Sequence, residues 1–291
     1  MTFPVVPPPL SPPRLVDLHM HSTASDGAVS PGDVVAAARH AGIAAIALTD
    51  HDTIAGVTEA QDAGRPLGVR VIAGVELSAV EGEIETHVLG LHLTRPEDLE
   101  RELMVLRGSR RARAERIVTL LNQLGVAVTI EAVLGQAAGG AIGRPHVAKA
   151  LMTGGWVRDQ REAFDRYLGN GRPAFVGKQQ LALVRAVQLI HDAGGLAILA
   201  HPGADGTRQR LEELAAIGLD GAEVRHPGHG IEDSRRIAAL VEHLGLLPSG
   251  GSDWHGAREG SRVIGCMSVP GEWLDRQDAR LRERHDREKV A

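Results

Sequence analysis

The chain predicts an α/β protein of β/α-barrel type that carries a helical insertion. Three observations lead there. Short apolar runs alternate with helix-period stretches at both ends of the chain. Almost every apolar run ends in a histidine or a carboxylate, and β/α barrels collect their chemistry at the C-terminal ends of strands. Between about residues 97 and 174 the alternation lapses into helical period alone.

Composition narrows the classes. With 291 residues the chain can bury one barrel-sized core or two smaller ones. Aromatics make up only 2%, so Ala, Val, Leu and Ile must fill that core. A formal charge of −5 argues against a surface that coats nucleic acid, and no stable DNA binding is expected, although a local basic pocket stays open. The single cysteine, Cys266, rules out an intrachain disulfide and fits a reducing compartment. No apolar run reaches membrane-spanning length, and residues 1–13 are proline-rich without the basic start of a signal peptide. These residues read as a disordered lead-in, and the expected location is the cytoplasm.

Taken in order, Leu15, Val16 and Leu18 build a first strand that closes in Asp17-Leu18-His19-Met20-His21, with Asp26 five residues further on. Positions i and i+2 share a face of a strand, so His19 and His21 can address one ion. Alone, such a pair is a weak signal. Ser30 then caps a helix with Pro31 at its first position, stopping near Gly42. Residues 43–48 form a strand that runs into Thr49-Asp50-His51-Asp52. After another helix, a strand over 69–75 ends at Glu76, and 84–91 is a further strand with His87 inside it. Residues 97–124 are charge-dense and helical in period, and short helices follow at 130–138, 145–153 and 159–168. Residues 174–176 look strand-like. A helix over 181–193 restarts the barrel, and strands at 196–200, 221–224 and 246–250 lead to His201, His226 and Asp253. The resulting division is a barrel of 14–96 and 175–270, an insertion of 97–174, and a charged helix or tail of 271–291.

The strand-end residues form one set: His19, His21, Asp26, His51, Glu76, His87, His201, Asp253 and His255. Structural histidines occur singly, and buried carboxylates without partners cost several kcal/mol. A cation cluster removes that cost, and mixed imidazole–carboxylate ligation suits Mn²⁺, Fe²⁺ or Zn²⁺. His87 is the one member that packing alone would also explain.

Segments 17–21, 49–52, 74–78 (Gly-Val-Glu-Leu-Ser), 200–202 and 251–256 (Gly-Ser-Asp-Trp-His-Gly) resemble the motifs of the PHP family, named for polymerase and histidinol phosphatase. The resemblance spans about residues 14–270. It implies a distorted seven-stranded β/α barrel and metal-dependent phosphoesterase activity. Through the insertion and its Gly143-Arg144-Pro145-His146 segment, the chain is similar to the branch that removes the 3′-phosphate of nucleoside 3′,5′-bisphosphates. Relatives in that branch also degrade short 5′-phosphorylated RNA. The resemblance further implies a cluster of two to three ions, with manganese favoured. His19, His21, Glu76 and Asp253 would hold one ion; Glu76 would bridge to a second on His87 and His201; Asp26, His51 and His255 would hold a third. Asp26 stands where some relatives have histidine.

Phosphate ester hydrolysis also needs a cationic clamp on phosphate oxygens. Arg144 is the first candidate, followed by Lys178 and Arg172. Glu76 and Asp253 would be catalytic as ligands, and His226 or His229 would donate a proton or bind substrate. Three alternatives remain at this point: a histidinol phosphatase, a non-catalytic metal-binding module, and a deacetylase-like amidohydrolase on the same barrel.

Overall fold

The computed structural model describes residues 14–82, 84–137, 142–177, 180–257 and 260–290. The proline-rich lead-in and Lys178 lie outside them. In chain order the elements are β1 (Leu15–Met20), α1 (Pro31–His40), β2 (Ala45–Leu48), α2 (Val57–Leu67), β3 (Arg70–Glu81), β4 (Ile84–Leu91), α3 (Glu97–Gln123), α4 (Ile130–Ala137), α5 (Arg144–Thr153) and α6 (Gln160–Ala163). There follow β5 (Leu181–Ala182), α7 (Leu183–Asp192), β6 (Leu196–Leu199), α8 (Arg208–Ala216), β7 (Gly221–Arg225), α9 (Ile231–His243), β8 (Leu247–Gly250), β9 (Val269–Pro270) and α10 (Gly271–Val290). No helix among the described residues is long and apolar enough to cross a membrane.

The strands form one sheet in the order β8-β7-β6-β4-β3-β2-β1-β9, with β5 added to β3. Seven strands of four or more residues make the wall, as the sequence predicts, and β5 and β9 are two-residue additions. The free edges nearly meet. Met20 at the end of β1 bridges Trp254, and Asp253 N–H donates to His19 O at 2.9 Å.

Local chemistry explains the elements. Ser30 caps α1 by accepting from Asp33 N–H, and Pro31 begins the helix. Strand side chains alternate between two cores: Ala45 and Ala47 of β2 pack with Leu196 and Ile198 of β6 in the barrel, while Ile46 and Leu48 face α1. The core is built almost wholly of small and branched aliphatics, as the scarcity of aromatics requires.

Four details differ from the sequence reading. β3 does not stop at Glu76 but runs five residues on, then turns back through Gly82 into an antiparallel β4. β4 pairs antiparallel with β6 as well, so this part of the wall is a meander rather than a βαβ unit. Residues 181–182 pair with β3 instead of opening α7. Residues 174–176 form no strand; Ala174 and Val176 instead bury into the core formed by α4, α5 and the second half of α3. The change of packing partner falls inside α3, since Leu99, Leu103 and Leu106 belong to the barrel core and Ile117 onward to the helical one.

One close approach sets the rim. A Cβ on Gly251 would lie 2.5 Å from the backbone N and Cβ of His19. Gly251→Ala should therefore push β1 from the segment after β8 at a cost of about 1–3 kcal/mol, or roughly 3–10 °C in melting temperature. Thermal denaturation checks this; an unchanged Tm would show that the rim tolerates the extra atom.

Candidate metal centre

Glu76 sits at the middle of the strand-end set, almost fully buried, with five imidazoles around its two oxygens. Oε2 lies 3.1 Å from His19 Nε2, 3.2 Å from His21 Nε2 and 3.3 Å from His51 Nδ1. Oε1 lies 2.8 Å from His87 Nδ1 and 3.0 Å from His201 Nε2. One carboxylate thus addresses two separate groups of ring nitrogens, the geometry a bridging ligand requires. His87 reaches it because β4 runs backwards: the first half of an antiparallel strand lies at the rim where parallel strands end. That reversal turns a mid-strand histidine into a rim residue.

Asp253 stands beside this group. Its Oδ1 is 3.2 Å from His21 Nε2 and 3.5 Å from His255 Nδ1. A second group forms at the more open side, where Asp26 Oδ1 is 3.3 Å from His255 Nε2 and 3.6 Å from His21 Nδ1, with His51 Nε2 3.8 Å from Oδ2. His201 (φ 32°) and Asp253 (φ 50°) both hold left-handed backbone at strand ends, a strained conformation for such residues that the surrounding hydrogen bonds maintain.

The donor chemistry fits divalent cations. Glu223 is fully buried and lies 3.1 Å from His19 Nδ1, which fixes Nδ1–H there and leaves the Nε2 lone pair aimed at the cluster. That lone pair faces His21 Nε2 at 3.1 Å, and neither nitrogen can satisfy the other when both are bare. His21 Nδ1, also buried, makes no hydrogen bond among the described residues, with Asp26 Oδ1 3.6 Å away. A cation between these atoms, or bound protons in its place, resolves the repulsion. Burial pushes the Glu76 carboxyl up, but His19, His201 and His21 outweigh it and hold it well below the ordinary range. Burial lowers His87, yet Glu76 and Glu85 override it and raise it to about 9. Burial wins at His51, which falls to about 4.

Several supports escaped the sequence reading. Asp50 accepts from Ser22 N–H at 2.7 Å, Ser22 Oγ–H at 2.7 Å and Ser25 Oγ–H at 2.6 Å, fixing the loop that carries Asp26. Asp17 accepts from Ser252 N–H at 2.9 Å and Gly265 N–H at 3.0 Å, tying the segment after β8 to β1. Glu223 also takes His201 N–H at 2.7 Å. Arg262 pairs with Asp253 Oδ2. Asp17 and Asp50 lie inside the quoted motifs, but Glu223 is a lone carboxylate in a five-residue strand, and only its burial marks it.

The two candidate proton donors separate. His226 Nδ1 accepts from Gly228 N–H at 3.0 Å, so the neutral ring carries its proton on Nε2, 3.3 Å from Asp253 Oδ2. His229 Nε2 accepts from Gly203 N–H at 3.1 Å and its Nδ1–H donates to Val224 O at 3.2 Å. Both nitrogens of His229 are therefore engaged with backbone, which counts against a role in catalysis. Arg144 is gripped between Phe164 and Phe175, with its guanidinium carbon 5.6 and 5.4 Å from the ring centroids, and donates to Leu168 O at 3.1 Å and Asn170 Oδ1 at 3.3 Å. Arg113, missed in the sequence, is lowered by burial and then by the neighbouring charges of Arg144 and Arg110. Arg172 is exposed on the turn after Asn170, with no side-chain hydrogen bond among the described residues.

Comparison with known proteins agrees with this centre. A family model described as "PHP domain" matches residues 17–168. A 3′,5′-nucleoside bisphosphate phosphatase of Chromobacterium violaceum is 36% identical over 257 residues, covering 86% of this chain and 90% of that protein. A 5′-3′ exoribonuclease of Haemophilus influenzae is 36% identical over 246 residues, covering 82% and 89%. A phosphoribosyl 1,2-cyclic phosphate 1,2-diphosphodiesterase of Eggerthella lenta is 35% identical over 249 residues, covering 82% and 94%. Among solved structures, a Chromobacterium violaceum amidohydrolase with bound sulfate aligns at a TM-score of 0.70 and 32% identity over 90% of this chain and 96% of that one. With a buried carboxylate ringed by imidazoles and relatives matched along most of its length, the chain belongs to the PHP domain family and is a metal-dependent phosphoesterase.

Proposed function

We propose that the enzyme removes the 3′-phosphate of nucleoside 3′,5′-bisphosphates, giving the 5′-monophosphate and phosphate, and that short 5′-phosphorylated oligoribonucleotides are a further substrate. The observation that carries this reading is the held guanidinium of Arg144. It stands at the first turn of α5, beside His146, whose lowered pKa results from burial, is lowered further by Lys149, and is partly opposed by the charge of Asp26. Ile142, two residues before Arg144, lines the same cleft as His51, so a phosphate on Arg144 would lie near the cluster without being in it. Histidinol phosphate has no second phosphate to place there. The names of the Chromobacterium and Haemophilus relatives support the same substrate class.

In this reading His19, His21, Glu76 and Asp253 would hold one ion, Glu76 with His87 and His201 a second, and Asp26, His51 and His255 a third, with manganese the favoured metal. When bound, such ions make hydroxide available near neutral pH and neutralise phosphoryl oxygens. Three ligand carboxylates against two or three divalent ions leave the site positive, which suits a phosphate dianion. Glu223 keeps His19 in the tautomer that ligates, and Asp50 and Asp17 hold the two ligand loops in place. Arg144 binds and orients the phosphate that stays. Water joins phosphorus as the bond to the 3′-oxygen breaks, the proton that the water loses ends on that oxygen, and His226 Nε2–H is placed to hydrogen-bond the oxygen as it leaves. The single cysteine fits a cytoplasmic setting.

A phosphate-release screen with Mn²⁺ tests the reading against its rivals. Adenosine 3′,5′-bisphosphate should exceed 3′-AMP, 5′-AMP, histidinol phosphate and phosphoribosyl 1,2-cyclic phosphate; preference for either of the last two would replace it. Metal analysis should show more than one equivalent. Glu76→Ala should lose the most metal and His255→Ala about one ion, and full activity after exhaustive chelation would refute the cluster.

Arg144→Ala should lower kcat/KM for the bisphosphate by roughly tenfold to a hundredfold, the worth of a charge-assisted contact. The rate on a 3′-monophosphate, which never makes the contact, should change little. Equal losses on both would place Arg144 at the reacting phosphate instead.

A further inference from the structure

Two clefts open from the metal cluster, and their charges differ. One, of about 770 Å³, leaves from His87 and His201 and is lined by Glu81, Glu85, Asp205 and Glu213, with Arg210 paired to Glu81 and, at 3.8 Å, to Glu213. The other, of about 500 Å³, leaves from His51 and is lined along one wall by α3. That wall carries Met104, Arg107, Arg110 and Arg111, whose i, i+3, i+6 and i+7 spacing puts them along one side of the helix. Met104 is 59% exposed, and Ile142 is a second apolar side chain lining the cleft.

The arginines are only partly engaged. Arg110 pairs with Asp52 Oδ2 through one nitrogen. Arg107 donates to Asp52 O at 3.0 Å and to Glu100 at 2.5 Å. Arg111 uses Nε on Glu115 at 3.1 Å, and its two terminal nitrogens take no hydrogen bond among the described residues. These interactions orient the guanidinium groups beside the reaction site while leaving N–H groups for an incoming anion.

We propose that the α3 cleft is the track for the RNA strand beyond the cleaved bond, with Arg107, Arg110 and Arg111 on its phosphates and Met104 against a base. This rests on the reading of the centre as one that cuts at a 3′-phosphoryl group. The chemistry is the same in both substrates. Water adds to phosphorus and the 3′-oxygen of the first nucleotide leaves with a proton. In the oligonucleotide the phosphoryl group carries the rest of the chain, which retains that phosphate at its new 5′ end. Such a remainder is a polyanion, so the acidic cleft repels it and the arginine-lined one attracts it.

The test uses holoenzyme and a 5′-phosphorylated heptaribonucleotide with phosphorothioate linkages and a 3′-fluorescein, read by anisotropy. Arg111→Glu should weaken binding about tenfold or more and lower the slope of log affinity against log salt by about 0.7. Arg111→Lys should retain most of the affinity. Arg235→Glu, an equal charge change on the exposed side of α9, should alter it less than twofold. Melting temperature and metal content, measured alongside, show that each variant is folded. Binding by Arg111→Glu equal to wild type, or an equal loss in Arg235→Glu, overturns the track. Phosphate release from adenosine 3′,5′-bisphosphate separates the two readings. Its absence with anisotropy as expected refutes the proposed function alone; its presence with Arg111→Glu unaffected refutes the track alone.

Discussion

The structure depends on a single buried carboxylate. Glu76 is 1% exposed, and an anion so removed from water needs compensating positive charge. The chain supplies imidazoles from β1, the β2 end, β4 and the β6 end, all within 3.3 Å of its two oxygens. In a metal-free protein the carboxylates raise His19, His21 and His87, so that protons on these rings supply the charge, while burial lowers His51; with cations bound the rings give lone pairs. Either way, five segments far apart in sequence are obliged to converge on one point. The antiparallel turn of β4 follows from the same demand, because only a reversed strand brings His87 to that rim.

A second layer of acids makes the convergence rigid. Asp17, Asp50 and Glu223 ligate nothing in this arrangement, yet each joins elements that carry ligands. Asp17 spans β1 and the segment after β8, Asp50 spans β2 and the loop before Asp26, and Glu223 spans β1, β7 and the start of the loop after β6. All three are buried and accept hydrogen bonds from N–H or O–H groups. Fixing a histidine by its outer nitrogen settles which lone pair faces inward, as His19 shows. The left-handed backbone of His201 and Asp253 is held by this layer.

The fold was legible where local chemistry is decisive. Ser30 and Pro31 mark α1, and short apolar runs outline β2, β4 and β6. Misreadings came where the outcome depends on a partner distant in sequence. Glu76 looks like a strand end because it is a ligand-type residue, although Leu77 and Ala79 continue the apolar alternation into a hairpin. Ala174 and Val176 have strand composition but bury against helices, with no edge to pair with. At the centre, the candidate ligands stand at or near the ends of apolar runs in the sequence, and the structure brings all nine side chains together. Glu223 and the α3 arginines were not readable, since a lone acid in a short strand and a charged helix face each look solvated until tertiary packing places them beside the cluster.

Charge placement decides more here than charge total. The chain is formally −5, which by itself argues against polyanions, yet screening confines each exposed charge to within about 10 Å at ordinary ionic strength. What a phosphorylated substrate meets is therefore the local wall. On the His87 side that wall is dominated by carboxylates, and on the His51 side by the guanidinium groups of α3 with Arg113 and Arg144 behind them. The helical segment explains the asymmetry. Its first half packs into the barrel core through Leu99, Leu103 and Leu106, which presents its arginines at the rim, and its second half builds the separate core that grips Arg144. A single long helix thus binds the cationic side of the site to the barrel that holds the metal ligands. In the proposed reading that helix sets substrate choice, while Glu76 and its ring of histidines set the chemistry at phosphorus.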